Sequence, residues 1–156
     1  MPPTLSHQPF VALTPTEPSD AEALVALRIE AMRESLEHIG RFDPIRARER
    51  FLSGFSPEHT RHIEVEGEHV GFVVVKPRAD FVLLDHLYIH PKNQGKGIGA
   101  AVLAQVIEEA NAKALPIRVG ALRGSDSNRF YARYGFQLVE QSDFDNYYIR
   151  PSENAL

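Results

Sequence analysis

The chain has 156 residues, of which 43% are apolar and 24% charged, with a formal net charge of −4 and no cysteine. This composition is typical of a globular domain, and it excludes disulfides, zinc–thiolate sites and a cysteine nucleophile. The sequence has no dense basic run, no long apolar run and no signal-peptide pattern. We therefore expect a cytoplasmic protein with neither a nucleic acid nor a membrane as its partner.

Hydrophobic spacing and turn residues predict a tail followed by an alternation of strands and helices. We expect residues 1–9 to form a disordered tail and residues 10–156 to form a single domain. The expected elements are a strand at Phe10–Leu13, helices at 19–39 and 44–55, strands at His62–Val65, His69–Lys76 and Phe81–Ile89, a helix at Ala100–Ala112, a strand at Ile117–Leu122, a helix at Ser127–Tyr134, and strands at Phe136–Val139 and Asn146–Ile149. This order, β-α-α-β-β-β-α-β-α-β-β, predicts an α/β fold with a mixed sheet and helices on both faces.

Local patterns set the expected boundaries of these elements. Ser19-Asp20-Ala21-Glu22 has the spacing of a capping box, and Gly40 is placed to end the first helix. Asp43-Pro44 is typical of an N-cap followed by proline at the first helical position. The turn Glu66-Gly67-Glu68 predicts a hairpin. The nearly continuous apolar start of Phe81–Ile89 predicts a central strand that is buried on both faces.

The segment Gln94-Gly95-Lys96-Gly97-Ile98-Gly99 lies between a predicted strand and a predicted helix. A glycine-rich turn that opens a helix can bind a phosphate group, because the glycines permit close approach and the helix presents free N–H groups. We therefore expect a phosphorylated cofactor here.

Three kinds of phosphate-binding loop compete for this segment. The P-loop pattern fails, because position 90 is histidine and Gly97 follows Lys96 where serine or threonine is required. The dinucleotide-binding pattern matches at Gly95, Gly97 and Ala100, but no acid ends the next strand, which closes with Gly120-Ala121-Leu122.

The glycine segment matches a third kind of phosphate-binding loop better, and a second segment of the chain supports this interpretation. Gln94-x-x-Gly97-x-Gly99, preceded by Leu87-Tyr88-Ile89-His90-Pro91, resembles the acetyl-CoA-binding motif of the GCN5-related N-acetyltransferases (GNATs). Asn128–Phe136, with Phe130-Tyr131 four residues before Gly135-Phe136, resembles the closing signature of the same family. The resemblance implies a GNAT-type acyl-CoA N-acyltransferase fold.

The resemblance also implies how acetyl-CoA is bound as a co-substrate. The backbone N–H groups from Gly95 to Ala100 are expected to receive the pyrophosphate, with Gln94 and Lys96 adding side-chain contacts. The strand before the loop is expected to splay from its neighbour and to hold the pantetheine arm as an added strand would. The expected cofactor-binding residues are Leu87, Tyr88, Ile89, Gln94, Gly95, Lys96, Gly97, Ile98, Gly99, Ala100, Ser125, Asn128 and Tyr131.

The catalytic residues are expected from the same resemblance. Tyr131 matches the family's frequent general acid, which protonates the leaving thiolate, and the N–H of Ile89 is placed to bind the thioester carbonyl. Either Asp85 or His86 can face the acceptor cleft, and Asp85 is the candidate proton acceptor. His86, Glu30 and Glu34 are candidate acceptor-binding residues, and the histidine spacing predicts no metal site.

These expectations describe an enzyme that moves an acetyl group from acetyl-CoA to a primary amine by direct attack in a ternary complex. The sequence leaves the identity of the acceptor amine open, and the resemblance implies a homodimer as one option for the assembly. A non-catalytic acyl-CoA sensor is the first alternative function. A nucleotide-binding domain with a coincidental glycine pattern is the second.

Overall fold

The computed structural model describes residues 9–38 and 40–153, within which seven strands and four helices follow the predicted order. The strands are β1 (Ala12–Pro15), β2 (Thr60–Val65), β3 (Glu68–Pro77), β4 (Val82–Ile89), β5 (Ile117–Leu122), β6 (Gln137–Gln141) and β7 (Asp145–Arg150). The helices are α1 (Ala21–His38), α2 (Pro44–Gly54), α3 (Ile98–Ala112) and α4 (Ser127–Arg133). The predicted tail up to residue 8 and the helix end at Ile39 lie outside the described residues.

The strands form one mixed sheet in the order β1-β2-β3-β4-β5-β7-β6. β4 and β5 are parallel, whereas the pairs β1–β2, β2–β3, β5–β7 and β6–β7 are antiparallel. The predicted mixed α/β fold is therefore confirmed. Of the helices in the described part of the chain, none combines the length and the apolar character needed to cross a membrane.

The chain divides into two compact units. The first comprises Met1–Val74 and His86–Ala104, and the second comprises Val75–Asp85 and Gln105–Leu156. That residues 10–156 act as a single domain stays a prediction.

Short-range hydrogen bonds cap the C-terminus of α1 and the N-terminus of α2 in the first unit. The Gly40 N–H donates to the Glu37 carbonyl at 3.0 Å with Gly40 at φ +72°, which confirms the predicted C-terminal stop of α1. The Asp43 carboxylate accepts the Arg46 N–H at 3.1 Å, and this confirms the predicted N-cap of α2.

The start of α1 differs from the prediction by two residues. A 3₁₀ turn at Pro18–Asp20 precedes the helix, and the Asp20 carboxylate accepts the Glu17 N–H at 2.8 Å. The capping pair is thus Glu17 with Asp20 rather than Ser19 with Glu22. Pro18 accounts for the difference, because its fixed φ suits the first position of a helical turn.

The core of the first unit lies between α1, α2 and the strands β3 and β4. Leu24 and Val25 of α1 and Phe51 of α2 pack with Phe72 and Val74 of β3.

β3, rather than β4, is the strand buried on both faces. Every residue from Val70 to Val74 is buried in β3. In β4 only Val82 and Leu84 are buried, while Leu83 and Asp85 between and after them are half-buried. The prediction for Phe81–Ile89 was wrong because its apolar run ends at Asp85, whereas the run in β3 continues through five residues.

The second unit contains β5, β7, β6 and α4. The predicted bounds of β5 are confirmed, and α4 ends at Arg133, with Gly135 two residues later at φ +89°. β6 is exposed along its length, and its Leu138 and Val139 side chains are 50% and 56% exposed. An edge strand thus presents apolar side chains to solvent.

A buried histidine ties the turn before α1 to the hairpin of β2 and β3. His62 is only 6% exposed, its Nε2 lies 3.2 Å from the Asp20 Oδ2, and its ring stacks on His69 at 3.8 Å between centroids. The pKa of Asp20 lies below its ordinary value of 3.8, because the Glu17 N–H and then His62 bond to its charged form.

Asp20→Asn is expected to lower the melting temperature at pH 7 by about 2–4 °C, the effect of losing about 1 kcal/mol of stabilisation in a protein of this size. Because the pKa of Asp20 is depressed in the folded state, its contribution is present above pH 3.8 and is lost as the pH falls through the folded-state value. The melting temperatures of the two proteins should therefore converge in acid. Asp126→Asn, at an exposed carboxylate that pairs with Arg129, is the control and should change little. A deficit in Asp20→Asn that persists at pH 2 would contradict the assignment.

Candidate functional site

The glycine loop forms the start of α3 in the first unit. Gly95 and Gly97 have φ of +76° and +82°, a conformation that favours glycine. The first hydrogen bond of the helical ladder runs from the Ala101 N–H to the Gly97 carbonyl at 3.1 Å. The backbone N–H groups of residues 98–100 precede this bond and so have no partner within the helix. They form, with the helix dipole, a place where an anion can bind.

Side chains around the loop anchor it on both sides. Ile98 is buried and fixes the first turn of α3, whereas the segment from Gln94 to Gly97 is exposed. The Gln94 Nε2 donates to the carbonyl of Ile89 at 2.9 Å. One amide hydrogen of Gln94 therefore joins the loop to the end of β4 instead of pointing to a ligand. Lys96 stands at the exposed rim of the loop.

The last residues of β4 are held by an unusually close approach of β3. A Cβ atom on Gly71 would overlap the carbonyl oxygen of Tyr88 and would lie 3.2 Å from the Cα of Ile89. The His90 N–H also donates to the Val70 carbonyl at 2.8 Å. The register of β4 with β5 runs from Val82 to Leu84, the first three residues of the strand. Leu87, Tyr88 and Ile89 follow this paired part.

His86 and Tyr88 project towards the aromatic part of the first unit's core. The His86 ring lies 6.0 Å from that of Phe51 and 6.4 Å from that of Phe72, and its Nδ1 lies 3.4 Å from the Tyr88 hydroxyl. These contacts hold the half-buried side chain of His86 next to Phe51 of α2. Glu30 and Glu34, which were expected to bind the acceptor, are both exposed on α1.

One residue of this region, Arg28, was not predicted from the sequence. Arg28 of α1 stands four residues after Leu24 and three after Val25, so its side chain shares their buried face. Its Nε is buried and has no hydrogen-bond partner among the described residues. The helical spacing from Leu24 and Val25 was the available signal, but charged residues are usually assigned to the solvent side of a helix.

Asp85 belongs to the second unit and has a cationic partner there. Its Oδ2 lies 3.0 Å from the Lys76 Nζ, with both side chains half-buried. This oxygen is engaged by the Lys76 ammonium group and is therefore less available to contact an acceptor amine. The pairing weakens the case for Asp85 as the catalytic base.

Tyr131 is enclosed by aromatic rings in the second unit. The side chain is 5% exposed, and its ring centroid lies 5.3 Å from that of Phe130, 5.2 Å from that of Phe136 and 6.4 Å from that of Tyr148. These contacts hold the phenol ring in one orientation.

Asn128 forms the centre of a hydrogen-bond network beside this aromatic cluster. Its Nδ2 donates to the carbonyls of Leu122 and Ser125, both at 2.9 Å. Its Oδ1 accepts from the Asn146 Nδ2 at 2.8 Å and from the Tyr148 hydroxyl at 2.7 Å. Both donors and both acceptor sites of the amide are thus used within the protein. The Ser125 hydroxyl donates to the Leu122 carbonyl at 2.8 Å.

Comparison with known proteins places this loop and strand arrangement in a family. The family model described as an acetyltransferase (GNAT) domain matches residues 57–138, which include β4, the glycine loop and α4. The chain belongs to the GNAT acetyltransferases. The family resemblance inferred from the glycine loop and from the segment Asn128–Phe136 is thereby confirmed.

Solved structures share this GNAT fold over nearly their whole length. The PaiA N-acetyltransferase of Thermoplasma acidophilum, solved in complex with coenzyme A, has a TM-score of 0.75 and 18% sequence identity, with 91% of this chain and 99% of that chain covered. An acetyltransferase from Thermus thermophilus has a TM-score of 0.71 and 19% identity, with 93% and 99% covered.

One relative is more similar to this chain in sequence than these two solved structures are. The spore coat polysaccharide biosynthesis protein SpsD of Bacillus subtilis is 31% identical over 170 residues, which cover 99% of this chain and 57% of that protein. The chain therefore spans a little over half the length of this curated relative.

Gly71→Ala is expected to lower the free energy of unfolding by about 1–3 kcal/mol, because the new methyl group meets the backbone of Tyr88 and not a movable side chain. Gly54→Ala is the matched control, since a Cβ there has nothing within 4 Å. Urea denaturation measures both effects, and amide hydrogen exchange should show weaker protection at the end of β4 only in Gly71→Ala. Equal stability of the two variants would contradict the close approach.

Proposed function

We propose that this GNAT protein transfers the acetyl group of acetyl-CoA to a primary amine by direct attack in a ternary complex. The observation that carries the proposal is the start of α3, where backbone N–H groups with no helical partner follow two glycines at positive φ. This arrangement suits the pyrophosphate of coenzyme A in both charge and shape. Acetyl-CoA would supply an activated acyl thioester at the site.

The end of β4 is proposed to hold the pantetheine arm and the thioester. The backbone groups of Leu87, Tyr88 and Ile89 follow the part of the strand that pairs with β5, so they are candidates for bonding an extended ligand. The Ile89 N–H is proposed to donate to the thioester carbonyl, where negative charge develops during attack. The bond from Gln94 to the Ile89 carbonyl holds the following peptide, Ile89–His90, and so supports a defined position for the end of β4 next to the loop.

Two side chains are proposed to move the protons. Tyr131 would give its phenolic proton to the departing CoA sulfur, and its aromatic surroundings support a fixed position for that donor. His86 is proposed to accept a proton from the attacking amine, because its half-buried ring is held beside the core of α1 and α2. Asp85 is the weaker candidate for this step, since it pairs with Lys76.

The remaining binding residues have narrower proposed roles. Ser125 and Lys96 are proposed to contact acetyl-CoA from the turn before α4 and from the loop rim. Asn128 is proposed to position this turn, because its amide is saturated by protein groups. We also propose a cytoplasmic location, which the absence of cysteine supports, and a homodimer as one assembly, which the exposed side chains of Leu138 and Val139 support.

Gly97→Ala is expected to weaken acetyl-CoA binding about tenfold, a loss of about 1.4 kcal/mol, because alanine disfavours the φ of +82° that shapes the loop. Gly67→Ala, in the β2–β3 turn at φ +81°, is the matched control and carries the same backbone strain outside the site. Both variants should lose similar stability, but only Gly97→Ala should lose affinity in a thermal-shift titration with acetyl-CoA.

The same titration separates the proposal from nucleotide binding. Stabilisation of the wild-type protein by NAD and not by acetyl-CoA would overturn the proposed function. Equal acetyl-CoA affinity of Gly97→Ala and Gly67→Ala would remove the loop from the cofactor site.

Tyr131→Phe is expected to lower kcat by about 10²–10⁴-fold, the range that general acids contribute, while acetyl-CoA affinity stays unchanged. Release of CoA in the presence of a panel of polyamines, aminoglycosides, amino acids and basic peptides measures kcat. Tyr134→Phe, at the residue that follows α4, is the control variant. Acetyl-CoA binding without turnover on any amine would instead favour the non-catalytic sensor, and an active Tyr131→Phe would give the acid role to another group.

A further inference from the structure

Arg28 is half-buried, and its guanidinium has a buried Nε with no hydrogen-bond partner among the described residues. No ion pair involves Arg28 in the described part of the chain, and the carboxylates of Glu30 and Glu34 lie on the exposed surface of the same helix. Burying a polar N–H group without a partner is unfavourable for folding. Such a group calls for an explanation, and a polar group of a bound ligand can supply the missing partner.

The contacts of Arg28 orient it in a defined way. Its Nη1 donates to the Ala47 carbonyl of α2 at 3.4 Å, and its Cζ lies 5.9 Å from the centre of the Tyr88 ring. The backbone carbonyl and the aromatic ring hold the planar group while Nε keeps its hydrogen unpaired. The edge formed by Nε and Nη2 matches the fork with which arginine binds a carboxylate or phosphate.

The position of Arg28 relates it to the acceptor and not to the phosphate loop. Tyr88, which it contacts, also lies 3.4 Å from His86 through its hydroxyl and the His86 Nδ1. His86 is the proposed proton acceptor for the attacking amine. The guanidinium and the imidazole thus share one aromatic neighbour in the first unit.

We infer that Arg28 binds an oxyanion of the acceptor, so that the substrate is an amine that also carries a carboxylate or phosphate group. This inference rests on the proposed function, because it names the class of amine that the site would acetylate. An acceptor that carries an anion is a different class of substrate from a polyamine. Polyamines are the acceptors that the net charge of −4 and the acidic surface of α1 would favour.

The first test compares matched amines that differ only in the anion. L-amino acids are compared with their α-carboxamides, and glucosamine 6-phosphate with glucosamine, so that carboxylate and phosphate are distinguished. Wild-type kcat/KM should be about 10- to 100-fold higher for the anionic member of one pair, the range that a hydrogen-bonded charge contributes. Arg28→Met should lose that preference, and Arg28→Lys should retain part of it.

The second test measures stability without any substrate. Arg28→Met should keep or raise the melting temperature, because it removes a buried polar atom that has no partner. Arg33→Met is the matched control on α1, since Arg33 is exposed and lies over the Phe42 ring. It should leave the substrate preference intact.

The outcomes separate this inference from the proposed function. If amines are acetylated without preference for the anion, or if Arg28→Met is less stable than wild type, the role of Arg28 as an anion-binding residue is wrong and the transferase proposal stands. If acetyl-CoA fails to stabilise the protein, or if no amine of either kind is acetylated, the proposed function and this inference fall together.

Discussion

The first turn of α3 has backbone N–H groups that the helix cannot pair, because its hydrogen-bond ladder starts with the bond from Ala101 to Gly97. Everything proposed for the donor side depends on this constraint. The chain reaches the helix through Gly95 and Gly97 at positive φ, and the buried Ile98 fixes the turn against the core. The loop is held to β4 by the Gln94 side chain at the Ile89 carbonyl. The proposed anion site and the end of β4 are thus joined by one short segment, whose charged side chain, Lys96, is exposed.

The sequence predicted well those features that depend on local chemistry. The caps at Gly40 and Asp43, the hairpin at Glu66-Gly67 and the bounds of β5 follow from φ preferences and from alternation of side chains. Features that depend on packing between elements were harder to predict. The doubly buried strand is β3 and not β4, because burial depends on what covers each face of the sheet. The cap before α1 also lies earlier in the chain than predicted, because a 3₁₀ turn begins at Pro18.

The candidate site shows the same division. The glycines of the loop could be identified by their spacing, because the conformation they permit is a property of the residue itself. The side-chain roles could not, since they depend on which groups are near. Gln94 bonds to its own strand, Asn128 is saturated by protein groups, and Asp85 pairs with Lys76. Arg28 was missed because a charged residue is usually assigned to the solvent side of a helix, even where its spacing from Leu24 and Val25 places it on their face.

The placement of Arg28 has a consequence for how this protein can change its substrate. The contacts proposed for the acetyl donor lie on β4, the loop and the start of α3. Most of them are made by backbone atoms, at positions where the loop conformation allows few substitutions. The inferred acceptor contact is one side chain on α1, far from the loop in sequence, and it meets β4 at the ring of Tyr88 rather than at the strand backbone. A substitution there removes a buried N–H group that has no partner among the described residues, and it leaves the backbone of the proposed cofactor site in place. On the inferred role of Arg28, a change of acceptor specificity needs only side-chain substitutions such as those on α1, while the backbone contacts proposed for the acetyl donor stay the same.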